Sequence, residues 1–270
     1  MPNDSNEMLT FGGHLEVLRQ MLLRIVCVAG VLSVGVFCFK ETTWQLLLAP
    51  SQSDFVTYRW IERVVQPVAP GFRFSVFSVD MIATELSSQF MTHITTSLYL
   101  GLLFASPYIV IELFRFIAPA LYDHERRYSV PVAVVVYVLF LCGVLMSYYV
   151  LFPVSFRFLG TYSVDARIHS AITLDSYVST FTSLTLVMGA VFQLPVIAFL
   201  LSRLGFVSSD VLSAYRKHAF LVIMVVAAII TPPDLMTLIL VTLPLYLLYE
   251  LSIRVVRWQE RNTLLSPRPH

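Results

Sequence analysis

Polarity along the chain alternates between long apolar stretches and short polar ones. Six runs carry no charge: Ile25–Phe39 (led into by Met21–Leu23), Phe90–Ile111, Ser129–Phe152, Ser176–Ser202, Ala219–Ile230 and Leu235–Tyr249. A helix needs about 20 residues at 1.5 Å each to cross a bilayer. The second, third and fourth runs meet that length, and the first does so if Arg24 snorkels to the interface. The last two hold 12 and 15 residues, and the tandem prolines of "TPPD", Thr231–Asp234, stop a helix between them. A re-entrant hairpin fits, and so do two spans in locally thinned lipid. Tyr246, Tyr249 and a basic tail anchor the far end, which favours two spans. The expected fold is an all-α integral membrane protein of six transmembrane helices in one polytopic domain. The helices are expected over 21–39, 90–115, 128–152, 176–202, 218–231 and 235–256.

The polar segments set the orientation. A cytoplasmic N-terminus gives that side twelve Lys and Arg against six, four of those six in one long loop. Excess basic charge marks the cytoplasmic side, so both termini are expected there (N-in/C-in). Residues 40–89 and 153–175 become periplasmic loops and 257–270 a cytoplasmic tail. The first loop sets Pro50, Pro67, Pro70 and Gly71 among aromatics; it is too apolar for a linker and predicts short capping helices. Within 1–20, "FGGHLEVLRQMLLR" runs on as an amphipathic helix. At 100° per residue, Leu15, Val17, Leu18, Met21 and Leu22 fill one arc and Glu16, Arg19 and Gln20 the other. Glu16 and Arg19 form an i,i+3 pair.

Composition narrows the classes. The chain is 57% hydrophobic and 13% charged, against about 25% charge in a soluble domain. A net charge of +1 excludes the basic excess of a nucleic-acid binder. The acidic start "MPNDSNEM" is unlike a secretory signal, so the first apolar run is expected to be retained. Cys27, Cys38 and Cys142 lie inside apolar runs and are expected as buried thiols, with no disulfide frame and no metal. "HERRY" has Tyr128 where a zinc protease needs its second histidine, and no Walker loop or G-x-S-x-G occurs. The chain is read as no enzyme, with no cofactor.

One polar segment stands out. "PALYDHERRYSVP", Pro119–Pro131, places Asp123, His124, Glu125, Arg126 and Arg127 in succession between apolar runs. A solvated turn that fixes orientation explains it, and so does a receptor surface for a cationic guest.

"HLEVLRQMLLR", "FRFIAPALYDHERRYSVP", "FQLPV" and "ITPPDLMTLILVTLPLYLLYE" resemble, in order and spacing, the signature blocks of the TatC family, the signal-recognising core of the twin-arginine (Tat) protein translocase. The resemblance runs from His14 to Glu250. It implies a cup-shaped, multi-pass protein of the bacterial inner membrane, with short fifth and sixth spans and both termini cytoplasmic. It implies binding of twin-arginine signal peptides of folded cargo, single-span TatA- and TatB-type partners, self-association in a Tat complex, and transport driven by the proton-motive force. Residue by residue, Glu125 falls on the family's main contact for the paired arginines. A carboxylate accepts a guanidinium fork that lysine cannot copy. Phe116 and Tyr122, with Pro119 and Leu121, shape the hairpin. Arg126 and Arg127 would repel the guest unless turned away or paired with Asp123. Arg19 matches the family's arginine, but the family's N-terminal glutamate is Val17 here. Either Glu16, about 100° away around the helix, supplies the second contact, which is the expectation favoured, or the chain relies on Glu125 alone.

Gln193 stands where relatives often carry glutamate and is expected to bond to a neighbouring helix or meet partner helices. Pro50 and Asp234 read as turn and cap residues with a partner-docking role. Pro107, Pro195 and Pro244 are expected to kink their helices, and Glu250 to pair with Arg254 at i,i+4. The alternative function is a small-solute secondary transporter, which calls for a polar cluster at mid-membrane, where the sequence offers only Gln193.

Overall fold

The computed structural model describes residues 11–69, 81–117, 129–163, 165, 171–231 and 234–265. The six apolar runs fall on helices. The first lies on α1 (Phe11–Cys38), which joins the amphipathic segment and the apolar run in one helix, and the second on α4 (Ser88–Ile117). The third covers α5 (Ser129–Met146), a π turn at Ser147–Leu151 and the start of α6 (Phe152–Thr161). The fourth is broken into α7 (Leu174–Val191) and α8 (Leu194–Arg203); the fifth is on α10 (Arg216–Ile230) and the sixth on α11 (Leu235–Leu265). The first long loop folds as α2 (Lys40–Leu48) and α3 (Val56–Val65), and α9 (Ser209–Ala214) precedes α10. Met81–Ile82 (β1) and Ile172–Thr173 (β2) form a two-residue parallel bridge. Among the described residues, five stretches are long and apolar enough to cross a bilayer: Leu15–Cys38, Ser88–Leu113, Ala133–Thr161, Leu174–Arg203 and Leu235–Asn262. The 15 residues of α10 reach about 22 Å.

The chain packs as two compact units, Met1–Thr43 with His93–Tyr137, and Trp44–Thr92 with Val138–His270. In the first, α1 meets α4 at Gly101, where any Cβ would overlap Ser33. Small residues let helix backbones approach this closely. The Phe37 ring stacks on His93 with centroids 4.3 Å apart.

The second unit uses the same device between α5 and α7. A Cβ on Gly143 would sit 2.5 Å from the Met188 carbonyl oxygen, and one on Gly189 would sit 2.7 Å from the Phe140 ring. Beside this crossing Ser147 and Thr185 are 3.1 Å apart. Thr185 spends its proton on the Phe181 carbonyl, so Ser147 donates to Thr185. The π turn ahead of Pro153 leaves one carbonyl for a distant donor. Proline offers no N–H to the carbonyl one turn back, that of Tyr149, and the Thr57 hydroxyl donates there instead.

At this end tyrosines satisfy the carbonyls left open where α2 stops. Tyr148 donates to Leu46 O at 2.8 Å, Tyr177 to Leu47 O at 2.7 Å, and Tyr58 to Pro50 O at 3.0 Å and Pro153 O at 2.9 Å. The Arg157 guanidinium lies 5.1 Å from the Tyr58 ring centre. Two-faced patterning positions α11: Val241, Leu245, Leu248, Ile253 and Val256 are buried, while Leu235, Ile239, Leu243, Leu247 and Leu251 are exposed at a spacing of four.

The three cysteines correct an expectation. Cys27, Cys38 and Cys142 are free and exposed, not buried. The outer surface of a membrane helix is itself apolar, so a small apolar side chain needs no interior to be solvated well. Among the described residues, no cluster of His, Cys, Asp and Glu could hold a metal ion.

Candidate functional site

The N-terminal residues expected as contacts sit on α1. Glu16 and Arg19 are 57% and 74% exposed and approach to 3.9 Å, and Gln20 Nε2 donates to Glu16 Oε1 at 3.1 Å. Glu16 is thus engaged along its own helix, where water screens it. Val17 is exposed, and of the apolar arc Met21 alone is fully buried. Phe116 belongs to the last turn of α4. Glu125 and Tyr122 lie outside the described residues.

The three remaining sites occupy different elements of the second unit. Pro50 is buried in the 3₁₀ turn after α2, its carbonyl taken by Tyr58. Asp234 caps α11: its Oδ1 accepts the Thr237 N–H at 2.7 Å. Satisfying an orphan N–H this way is what an N-cap does, so both residues hold the local structure the sequence assigns to them. Gln193 marks the break in the fourth run. It precedes α8, whose second residue is Pro195, and its Nε2 reaches back to Gly189 O at 3.4 Å. The turn at Phe192–Gln193 brings the amide over the end of α7. Pro107 and Pro244, by contrast, lie within unbroken helices.

Two ion pairs were not foreseen. Glu112, one residue beyond the second apolar run, is only 4% exposed, and Arg24 Nη1 of α1 lies 3.8 Å from its Oε2. An acid closing an apolar run just before the "FRF" of the hairpin block was the available signal. The other pair corrects an expectation. Glu250 does not rely on Arg254 one turn on but takes a fork from α10, Arg216 Nε to Oε1 at 2.6 Å and Nη2 to Oε2 at 3.1 Å. Tyr246 also donates to Oε1, at 3.3 Å. The hydrogen bonds that Arg216 donates to Glu250 raise its pKa further above the ordinary value. A planar guanidinium on another helix can meet both carboxylate oxygens, which a neighbour on the same helix face reaches less squarely.

Further contacts bind α9 to the same stretch of α11. The Ser209 N–H donates to Glu260 Oε1 at 2.9 Å and its hydroxyl to Oε2. Tyr249 donates to Leu212 O at 2.8 Å, and Arg257 to Ser213 Oγ at 3.2 Å.

Residues 13–244 match the family described as "Sec-independent protein translocase protein (TatC)". The Sec-independent protein translocase protein TatC of Blattabacterium sp. subsp. Periplaneta americana (strain BPLAN) is 32% identical over 259 residues, covering 94% of this chain and 97% of that protein. The protein of that name from Helicobacter pylori (strain J99 / ATCC 700824) is 40% identical over 256 residues, covering 95% and 90%. A crystal structure described as the twin arginine translocase receptor TatC superposes with a TM-score of 0.71 at 28% identity, over 91% of this chain and 98% of that one.

Proposed function

Because the chain belongs to the TatC family of Sec-independent protein translocases, we propose that it is the component that receives twin-arginine signal peptides of folded cargo, with Glu125 as the main contact. One observation carries this: the family match is nearly full length and includes the hairpin block "FIAPALYDHERRY". A solved relative described as a receptor supports the same reading. Paired guanidinium groups suit a carboxylate at the membrane boundary, since each can form two charge-assisted hydrogen bonds with it. Arg19, Phe116 and Tyr122 order the surface around Glu125. Gln193 meets partner helices, with Pro50 and Asp234 fixing the turns on which those helices dock.

In this reading the chain spans the bacterial inner membrane six times, α10 being the short fifth span, with both termini cytoplasmic. It assembles with TatA- and TatB-type single-span proteins and further copies of itself, and the proton-motive force drives transport. The solute-transporter alternative gains nothing from the family match. Photo-crosslinking of a twin-arginine signal peptide to the membrane-embedded protein tests the proposal. Glu125→Ala and Glu125→Gln should lower the yield far more than Glu16→Ala, and a Lys-Lys peptide should crosslink poorly. Unchanged crosslinking and export in Glu125→Ala would overturn the assignment.

A further inference from the structure

Only half of the circumference of α3 is given to the protein. Thr57 and Tyr58 are buried and Ile61 and Val65 partly so, whereas Val56, Trp60 and Val64 are 55%, 62% and 55% exposed. Arg59 and Arg63 are exposed as well. At 100° per residue the three apolar side chains cover an arc of about 80°, and the two arginines follow within about 60° of its Val56 edge. The outward half is thus divided lengthwise into an apolar strip and a basic one. Water alone would favour polar side chains along all of it.

The inward half fixes the depth of α3. Phe55, just before it, stacks on Tyr149 with centroids 5.8 Å apart. The Thr57 hydroxyl donates to Tyr149 O and the Tyr58 hydroxyl to Pro153 O at 2.9 Å. Both acceptors belong to the crossing stretch Ala133–Thr161, whose only charged residue is Arg157. An arginine in such a stretch marks the edge of the hydrocarbon, where its guanidinium reaches polar surroundings. This one lies 5.1 Å from the Tyr58 ring centre. The helix is therefore held at the level where acyl chains give way to head groups.

We propose that α3 is an interfacial helix: Val56, Trp60 and Val64 enter the acyl boundary of the adjoining leaflet, and Arg59 and Arg63 bind the phosphates of anionic phospholipid. Tryptophan suits that boundary because its ring is apolar and its N–H polar. A guanidinium meets a phosphate through paired hydrogen bonds. A layered solvent, oil beneath and anions above, satisfies both strips at once. A protein partner would have to present an apolar groove beside two acids in the same register. The inference needs the chain to lie in a membrane and is independent of signal-peptide binding.

The test uses the full chain in nanodiscs of equal parts phosphatidylcholine and phosphatidylglycerol, with a nitroxide quencher near the lipid head group or at the chain end. Subtracting the emission of Trp60→Phe isolates Trp60 from Trp44 and Trp258. That emission should fall at least about twofold with the shallow quencher, less with the deep one and little with aqueous acrylamide. Replacing phosphatidylglycerol by phosphatidylcholine should reduce the shallow quenching, and Arg59→Gln with Arg63→Gln should remove this dependence on lipid charge. Strong quenching by acrylamide puts the strip in water, and stronger quenching by the deep label puts it inside the slab; either overturns the inference. Protection from all three quenchers also overturns it, since a partner or a second copy then covers the helix. Shallow quenching that ignores lipid charge overturns it too, because the arginines then recognise no phosphate. The signal-peptide reading stands whichever way the result falls.

Discussion

Arg216 holds Glu250 through two parallel N–H···O bonds, at 2.6 and 3.1 Å, and so ties α10 to α11. The fork belongs to the guanidinium. Arg216→Lys should keep one contact and lose the other, lowering the Tm of the solubilised protein. Glu250→Gln should lower it further by removing the charge. The exchanged pair, Arg216→Glu with Glu250→Arg, should recover part of the loss, as thermal unfolding of the single and double variants will show.

Gly143 faces a neighbour that cannot give way, since its Cβ would meet the Met188 backbone oxygen at 2.5 Å. Gly143→Ala should therefore cost about 1–3 kcal/mol through overpacking. Gly189→Ala meets only the edge of the Phe140 ring, which can rotate, and should cost less. Equilibrium unfolding in mixed micelles ranks the two.

Tyr58 is 1% exposed and its hydroxyl serves two backbone carbonyls. Tyr58→Phe leaves polar groups unpaired and should cost about 1–3 kcal/mol. Burial pushes this phenol well above its ordinary value of 10.0, against the opposing pull of Arg157. A pKa raised on folding means that the folded chain holds the proton more tightly than the unfolded one. Its contribution is full below pH 10 and declines as the pH climbs above that value. Unfolding followed from neutral to alkaline pH should show this decline, and Tyr58→Phe should flatten it.

Asp234 caps α11 through the Thr237 N–H. Asp234→Ser keeps an acceptor and should be nearly neutral, while Asp234→Ala should lose about 1 kcal/mol. A stable Asp234→Ser protein that fails in export would reveal a docking role beyond the cap.

Apolar length located the helices well because any segment that enters lipid must satisfy its backbone internally. What the sequence concealed depends on distant partners. The Tyr177–Leu47 bond joins residues 130 positions apart, and no local pattern announces it. The π turn before Pro153 needed Thr57, and the Arg216 fork displaced a plausible local partner of Glu250. Glu112 drew no notice as the first residue after an apolar run, yet it is buried. The block "HERR" between two apolar runs is a local feature of the sequence, and the family match spans it. Glu16 was read correctly as one half of a pair with Arg19, although helix periodicity could not show that Gln20 would also hold it.

The 31 residues of α11 form a rod about 46 Å long, while a bilayer's hydrocarbon slab is about 30 Å thick. Tilt alone would have to approach about 50° to hide the whole rod, beyond the range transmembrane helices adopt. Part of it therefore stands clear of the hydrocarbon at any such tilt, about a third if it is upright, and Arg254, Arg257, Glu260 and Arg261 make its last turns the wet ones. The Arg257 contact with Ser213 is made at that exposed end, while Ser209 is buried against Glu260, so ionic strength should loosen the first hold on α9 and leave the second in place.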